Sequence, residues 1–123
     1  MESTASLYDR LGGRRKLDVL LRNFYSSLRL HPVLGPSFEA HIGDWPAHLR
    51  VVGDFWALQT GGPSAYHGHL LAAHAPLGVT ARHFEAWLAQ WRQSCALHFE
   101  APIAAELIAL ADGLAARMRT ALD

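Results

Sequence analysis

Eight histidines stand against a single lysine in this chain, and three of them, His67, His69 and His74, fall inside "YHGHLLAAHAPLG", residues 66–78. Imidazole is the commonest side-chain metal ligand, so a metal site is the first chemistry to weigh. Spacing alone does not close one. His67 and His69 are two residues apart, which on a helix turns them away from each other, and His69 and His74 are five apart, outside the neighbour rule of three or four. No cysteine pair and no HExxH stands nearby to complete a zinc site. The plain alternative is a polar loop rich in histidine. For one of the three to hold a metal, it needs a cofactor and a pocket built by the rest of the chain.

Other chemistry-bearing residues lie in apolar surroundings. His48 falls on the inward face of its helix, where an imidazole needs a partner; a core histidine satisfied by a carbonyl is the competing reading. Tyr25 and Trp87 carry O–H and N–H donors, but both sit on apolar stripes, where any helical bundle uses aromatics as core. Cys95 is the lone cysteine, read as a small buried residue and excluding an internal disulfide.

The elements that must position these groups are helices. Leu17, Leu20, Leu21, Phe24, Tyr25 and Leu28 form a buried helical stripe, predicting a helix from about Arg14 to Leu30, stopped ahead of Pro32. A short irregular or helical turn follows through "HPVLGPSFEAHIG". Asp44 reads as an N-cap, with Pro46 in the first turn, and His48, Val52, Phe55, Trp56 and Gln59 share one face. "GGP" at 61–63 ends that helix. Thr80 caps a long helix to about His98, with Phe84, Trp87, Leu88, Trp91 and Cys95 inward. The last helix starts near Pro102 and carries Ile103, Leu107, Leu110, Leu114 and Met118. No strand pattern occurs. The class is all-α, one domain over residues 1–123.

A plain bundle leaves the middle of the chain unexplained. Between Gly61 and Val79 there is room for only a turn or two of helix, around Leu70 to His74. Loops of this length in a compact domain are usually functional or disordered. Apolar Leu70, Leu71 and Leu77 favour packing against something, and an apolar disc with a polar edge would suit.

Composition narrows the partners. Half of the residues are hydrophobic and 18% are charged, and 11 Lys plus Arg balance 11 Asp plus Glu. That balance speaks against nucleic acid or an anionic membrane as the main partner. "MESTASLYDR" has no signal-peptide core and nothing reaches the length of a membrane span, so the expectation is a soluble, cytoplasmic protein.

Several separated motifs, in order, resemble the truncated haemoglobins. They are "YDRLGG", "FY" at Phe24–Tyr25, "HPVLGPSF", "DWPAHLRVVGDFW", "GGPSAYHG", "HAPL" and "HFEAWLAQW". The likeness runs from about Leu7 to Leu122. "WPAH" with "DFW" is similar to the third group of that family, "GGP" with Tyr66 and "HAPL" to the second. The resemblance implies a two-over-two helical sandwich around a haem. His74 then matches the proximal iron ligand, and Tyr25, His48 and Trp87 match the polar distal positions. Phe38, Phe55, Val52, Leu70, Leu77 and Trp87 would line the cofactor. Ala73 departs from the arginine that second-group members often place before the proximal histidine, so a haem propionate must pair elsewhere, with Arg50, Arg82 or a loop histidine as candidates.

Neutral imidazole supplies the strong axial ligand that haem iron needs, and its second nitrogen is expected to meet a backbone carbonyl. No CxxCH occurs, so haem b would be held non-covalently. The resemblance implies reversible binding of dioxygen, and of nitric oxide or carbon monoxide, by a monomer or weak dimer, with His48 as a gate. A haem enzyme, either a nitric oxide dioxygenase or a peroxidase, would need the same pocket and a reductase or proton donor. A cofactor-free helical interaction module with a tryptophan surface is the third reading.

Overall fold

Each helix begins where the sequence supplies a cap. The computed structural model describes residues 5–68, 74 and 79–122, leaving aside the side chain of residue 122. Helix α1, Leu7–Leu11, starts at Ser6, whose hydroxyl accepts the Asp9 N–H at 3.1 Å, and stops at left-handed Gly12. Helix α2, Gly13–Arg29, buries the stripe expected of it. The proline-rich stretch that follows forms a seven-residue helix, α3, Gly35–His41. Asp44 caps α4, Trp45–Thr60, by accepting the Ala47 N–H at 3.0 Å, and Gly61 ends it at φ 89°. Helix α5, Ala81–His98, opens on a capping box in which Thr80 and His83 each accept the other's backbone N–H. Helix α6, Ala101–Leu122, completes the chain. Among the described residues there is no strand, and no helix is long and apolar enough to cross a membrane.

Two helix pairs form the sandwich: α2 packs on α4, α5 on α6, and α2 also packs across α5. Fully buried Phe24 locks the two layers, meeting Trp87 and Trp91 edge-on at 5.0 and 4.9 Å. Trp91 stacks on Trp56 of α4 at 4.5 Å, while its indole N–H donates to the Leu107 carbonyl at 3.0 Å. Arg14 ties α2 to α4 by bonding Asp18, Asp54 and the Arg50 carbonyl.

The inward stripe of α6 is broader than the one expected. Ile103 and Leu107 are buried, and Leu110 and Leu114, half-buried, pack against the core. Ala104, Ala111 and Ala115 are also core positions, and Met118 is half-buried. Bulk on α5, the Trp91 ring above all, fills the interface, so α6 can come close only where its side chains are small.

Two stability consequences arise here. A Cβ on Gly35 would stand 2.5 Å from the Arg29 carbonyl oxygen, a backbone atom that cannot swing aside. Gly35→Ala should therefore destabilise by about 1–3 kcal/mol, the usual cost of overpacking, and a denaturant midpoint lowered at unchanged slope would show it. Cys95 is fully buried, and burial pushes its thiol up to about 12. Because the thiolate is the nucleophile, a disulfide reagent at neutral pH should modify Cys95 only as fast as the protein opens; immediate labelling of the folded protein would contradict that.

Candidate functional site

Four elements deliver aromatic or polar groups to one small volume between the helix layers. Tyr25 comes from the last turns of α2 and is 7% exposed. Its ring stands edge-on to His48 at 5.3 Å and to Phe38 at 5.8 Å, and tilted against Trp45 at 6.0 Å. From α5, Trp87 comes near the Tyr25 hydroxyl. Burial holds the phenol well above its ordinary pKa, against a smaller downward pull from the Trp87 indole. Tyr25 is thus a neutral phenol with its own proton still to donate.

His48 sits three residues into α4 from Trp45, on the face turned toward Tyr25. Its Nε2 is buried and meets no hydrogen-bond partner among the described residues. Burial, and then charge interaction with His74, lower its pKa, so the imidazole is neutral at neutral pH. That interaction puts His74 within electrostatic reach of His48. His74 itself is helical and half-buried. Two histidines thus come within charge range of each other, with Tyr25 beside the first and Trp87 near the Tyr25 hydroxyl.

The expected wall residues divide. Phe38 joins Tyr25 and Trp45 directly. Val52, half-buried, stands one turn beyond His48 on α4. Phe55 is buried another turn along and packs on Trp56 and Tyr66 at 5.5 and 5.2 Å, apart from the Tyr25 cluster. Leu70 and Leu77, His69, and the Ala73 departure lie outside the described residues. His67 is exposed. Arg50 points into a groove of about 450 Å³ lined by Arg14, Arg15, Asp18 and Arg22 of α2, which takes it to the side of α4 away from His48. Arg82 is exposed at the start of α5.

Trp45 escaped the sequence reading. It touches Tyr25, Phe38 and His48 at 5.5–6.0 Å. The available signal was its position three residues before His48, which puts the two on one helix face.

This arrangement suits a flat, largely apolar group with a central electrophile. His74 can offer an imidazole nitrogen. The Nε2 of His48, beside the Tyr25 ring, is buried with no hydrogen-bond partner among the described residues. A buried polar atom without a partner costs about 1–3 kcal/mol; a ligand accepting or donating there would relieve it. The residues present therefore fit a haem.

Comparison with known proteins points the same way. The family model for bacterial-like globins matches residues 6–119. The chain is 33% identical over 81 residues to the group 1 truncated hemoglobin GlbN of Mycolicibacterium paratuberculosis, covering 65% of this chain and 58% of the relative. The curated relatives it matches are thus spanned over 58% and 59% of their length. The crystal structure of the group II truncated hemoglobin from Bacillus anthracis superposes with a TM-score of 0.85 at 28% identity, covering 95% of this chain and 92% of that one. The group III protein from Campylobacter jejuni superposes at 0.84 with 24% identity, covering 100% and 94%, a likeness of fold. Similarity is spread over all three groups.

Proposed function

The chain belongs to the bacterial-like globin family, among the truncated haemoglobins, and on that premise we propose that it holds one non-covalent haem b through His74 and receives a diatomic gas on the His48 side. The family is a haem-binding one. The carrying observation is the buried Nε2 of His48, without a hydrogen-bond partner among the described residues, beside Tyr25, with Trp87 near the Tyr25 hydroxyl and His74 in electrostatic reach.

Haem, when bound, would supply an iron able to take a small ligand. The chain's own residues would do the rest. His74 would hold the iron through an imidazole nitrogen. Tyr25 and Trp87 present donors toward a ligand that carries partial negative charge, as dioxygen does. His48, neutral because it is buried, can donate or accept according to its tautomer. Phe38, Val52 and Phe55 supply apolar wall, with Leu70 and Leu77 also proposed to line the cofactor. The attachment is non-covalent in this reading because CxxCH is missing from the sequence and Cys95 is enclosed in the core.

Titration of the haem-free protein with haemin tests the proposal. Trp87, Trp91 and Trp56 form one stacked series beside the pocket, so their fluorescence should fall and level off at about one equivalent. Quenching that never saturates, or continues through several equivalents, rejects a specific haem site.

A further inference from the structure

The distal cluster is closed on its outer side by Trp45, and an arginine holds that indole in place. Arg29, the last residue of α2, lays its guanidinium over the Trp45 ring at 4.3 Å. The same guanidinium donates through Nε to Glu39 of α3 at 3.3 Å, and the two side chains are 42% and 59% exposed. On its other contacts Trp45 meets Tyr25, Phe38 and His48. One indole therefore lies between the buried donors and a solvent-facing ion pair.

We propose that Trp45 is the swinging wall through which gas reaches the Tyr25–His48 pocket, and that the Arg29–Glu39 latch sets how often it opens. The inference rests on the haem reading above and adds to it the residues controlling ligand entry. Backbone motion is not required, because the Asp44 cap fixes the start of α4 while the indole can turn about its own side-chain bonds. Nothing covalent holds the indole shut. A solvent-exposed cation–π contact shifts a two-state population only about two- to fivefold, corresponding to about 0.5–1 kcal/mol. The exposed ion pair to Glu39 adds no more than that. A latch this weak keeps the wall closed most of the time and still lets it open. Salt screens it further.

A wall of this kind has a kinetic signature. It speeds or slows entry and exit by the same factor and leaves affinity unchanged, whereas a residue that holds the ligand alters exit alone. Arg29→Gln removes the cation and keeps a good helix former; Glu39→Gln removes only the ion pair. In the haem-loaded protein, flash photolysis and ligand replacement should give carbon monoxide association and dissociation both about two- to fivefold faster in Arg29→Gln. Glu39→Gln should move the same way by less. The bulkier n-butyl isocyanide should respond more strongly than carbon monoxide. Raising salt should speed the wild type toward Arg29→Gln and leave that variant unchanged. In the haem-free protein, hydroxyl-radical footprinting read residue by residue should oxidise Trp45 faster in Arg29→Gln. Unchanged rates, a change confined to dissociation, or an unchanged Trp45 footprint overturns the proposal while the haem reading stands. A wild-type protein that binds no haem overturns both.

Discussion

Replacing His74 with alanine should strip the protein of most of its hold on haem. In the proposed site His74 supplies the only bond from the chain to iron, and His48 stands among the distal donors with Tyr25. Removing a group that merely supports a ligand typically costs 10–100-fold in metal affinity, so loss of the ligand itself should cost about a hundredfold or more. Apolar burial of the porphyrin against Phe38, Val52 and Phe55 would leave a residual affinity, which is why titration is needed and colour alone does not decide. Added imidazole should enter the space left by the side chain and restore the ferrous spectrum. Unchanged affinity, with an unchanged five-coordinate ferrous spectrum, would remove His74 from the account.

Trp87→Phe should release dioxygen roughly tenfold to a hundredfold faster. The phenyl ring preserves most of the packing that Trp87 makes on Phe24 at 5.0 Å and on Trp91 at 5.3 Å; what it loses is the N–H. A hydrogen bond to a charged acceptor contributes about 1.5–3 kcal/mol, and about 1.4 kcal/mol is a factor of ten. Tyr25→Phe should act in the same direction. Trp87 lies near the Tyr25 hydroxyl, so when one donor is lost the other can reorient toward the ligand. The single substitutions should therefore sum to something other than the double variant. Carbon monoxide is much less polar when bound and should respond far less. Stopped-flow release of both gases from all three variants decides between a hydrogen-bonding role and one of pocket shape: equal acceleration of the two gases means shape.

Local signals in the sequence were read where one residue type does one job. Asp44, Thr80 and Gly61 bound α4 and α5 as expected because a cap needs only the next three residues or a left-handed backbone. The same kind of signal stood at Ser6 and Asp9 and marks α1, yet a helix of five residues has too little periodicity to be noticed. The leucine pattern of α6 marks Ile103 and Leu107 correctly as buried and Leu110 and Leu114 as packed against the core. It omits Ala104, Ala111 and Ala115, which are buried by what α5 brings against them. That depends on the partner helix and is invisible in one segment.

The candidate site follows the same division. The inward face of His48 and the donors on Tyr25 and Trp87 were legible from helical spacing. Their meeting was not, since Tyr25, His48 and Trp87 come from three helices. Trp45 was overlooked because a residue between a cap and a proline reads as part of the helix start. His74 could be singled out from His67 and His69 only by family resemblance, because no spacing among the three closes a site. His67 is exposed, and His74 is close enough to His48 to lower its pKa.

The central claim is a haem held by His74 on one side, with His48 near the iron's other side yet unligated. The absorption spectrum of the reduced, gas-free protein tests both halves together. The account predicts an intense Soret band with the broad visible absorption of a five-coordinate, high-spin ferrous haem bound by one imidazole, persisting in His48→Ala. A six-coordinate, low-spin spectrum that disappears in His48→Ala, or no Soret band after reconstitution with haem, would contradict it.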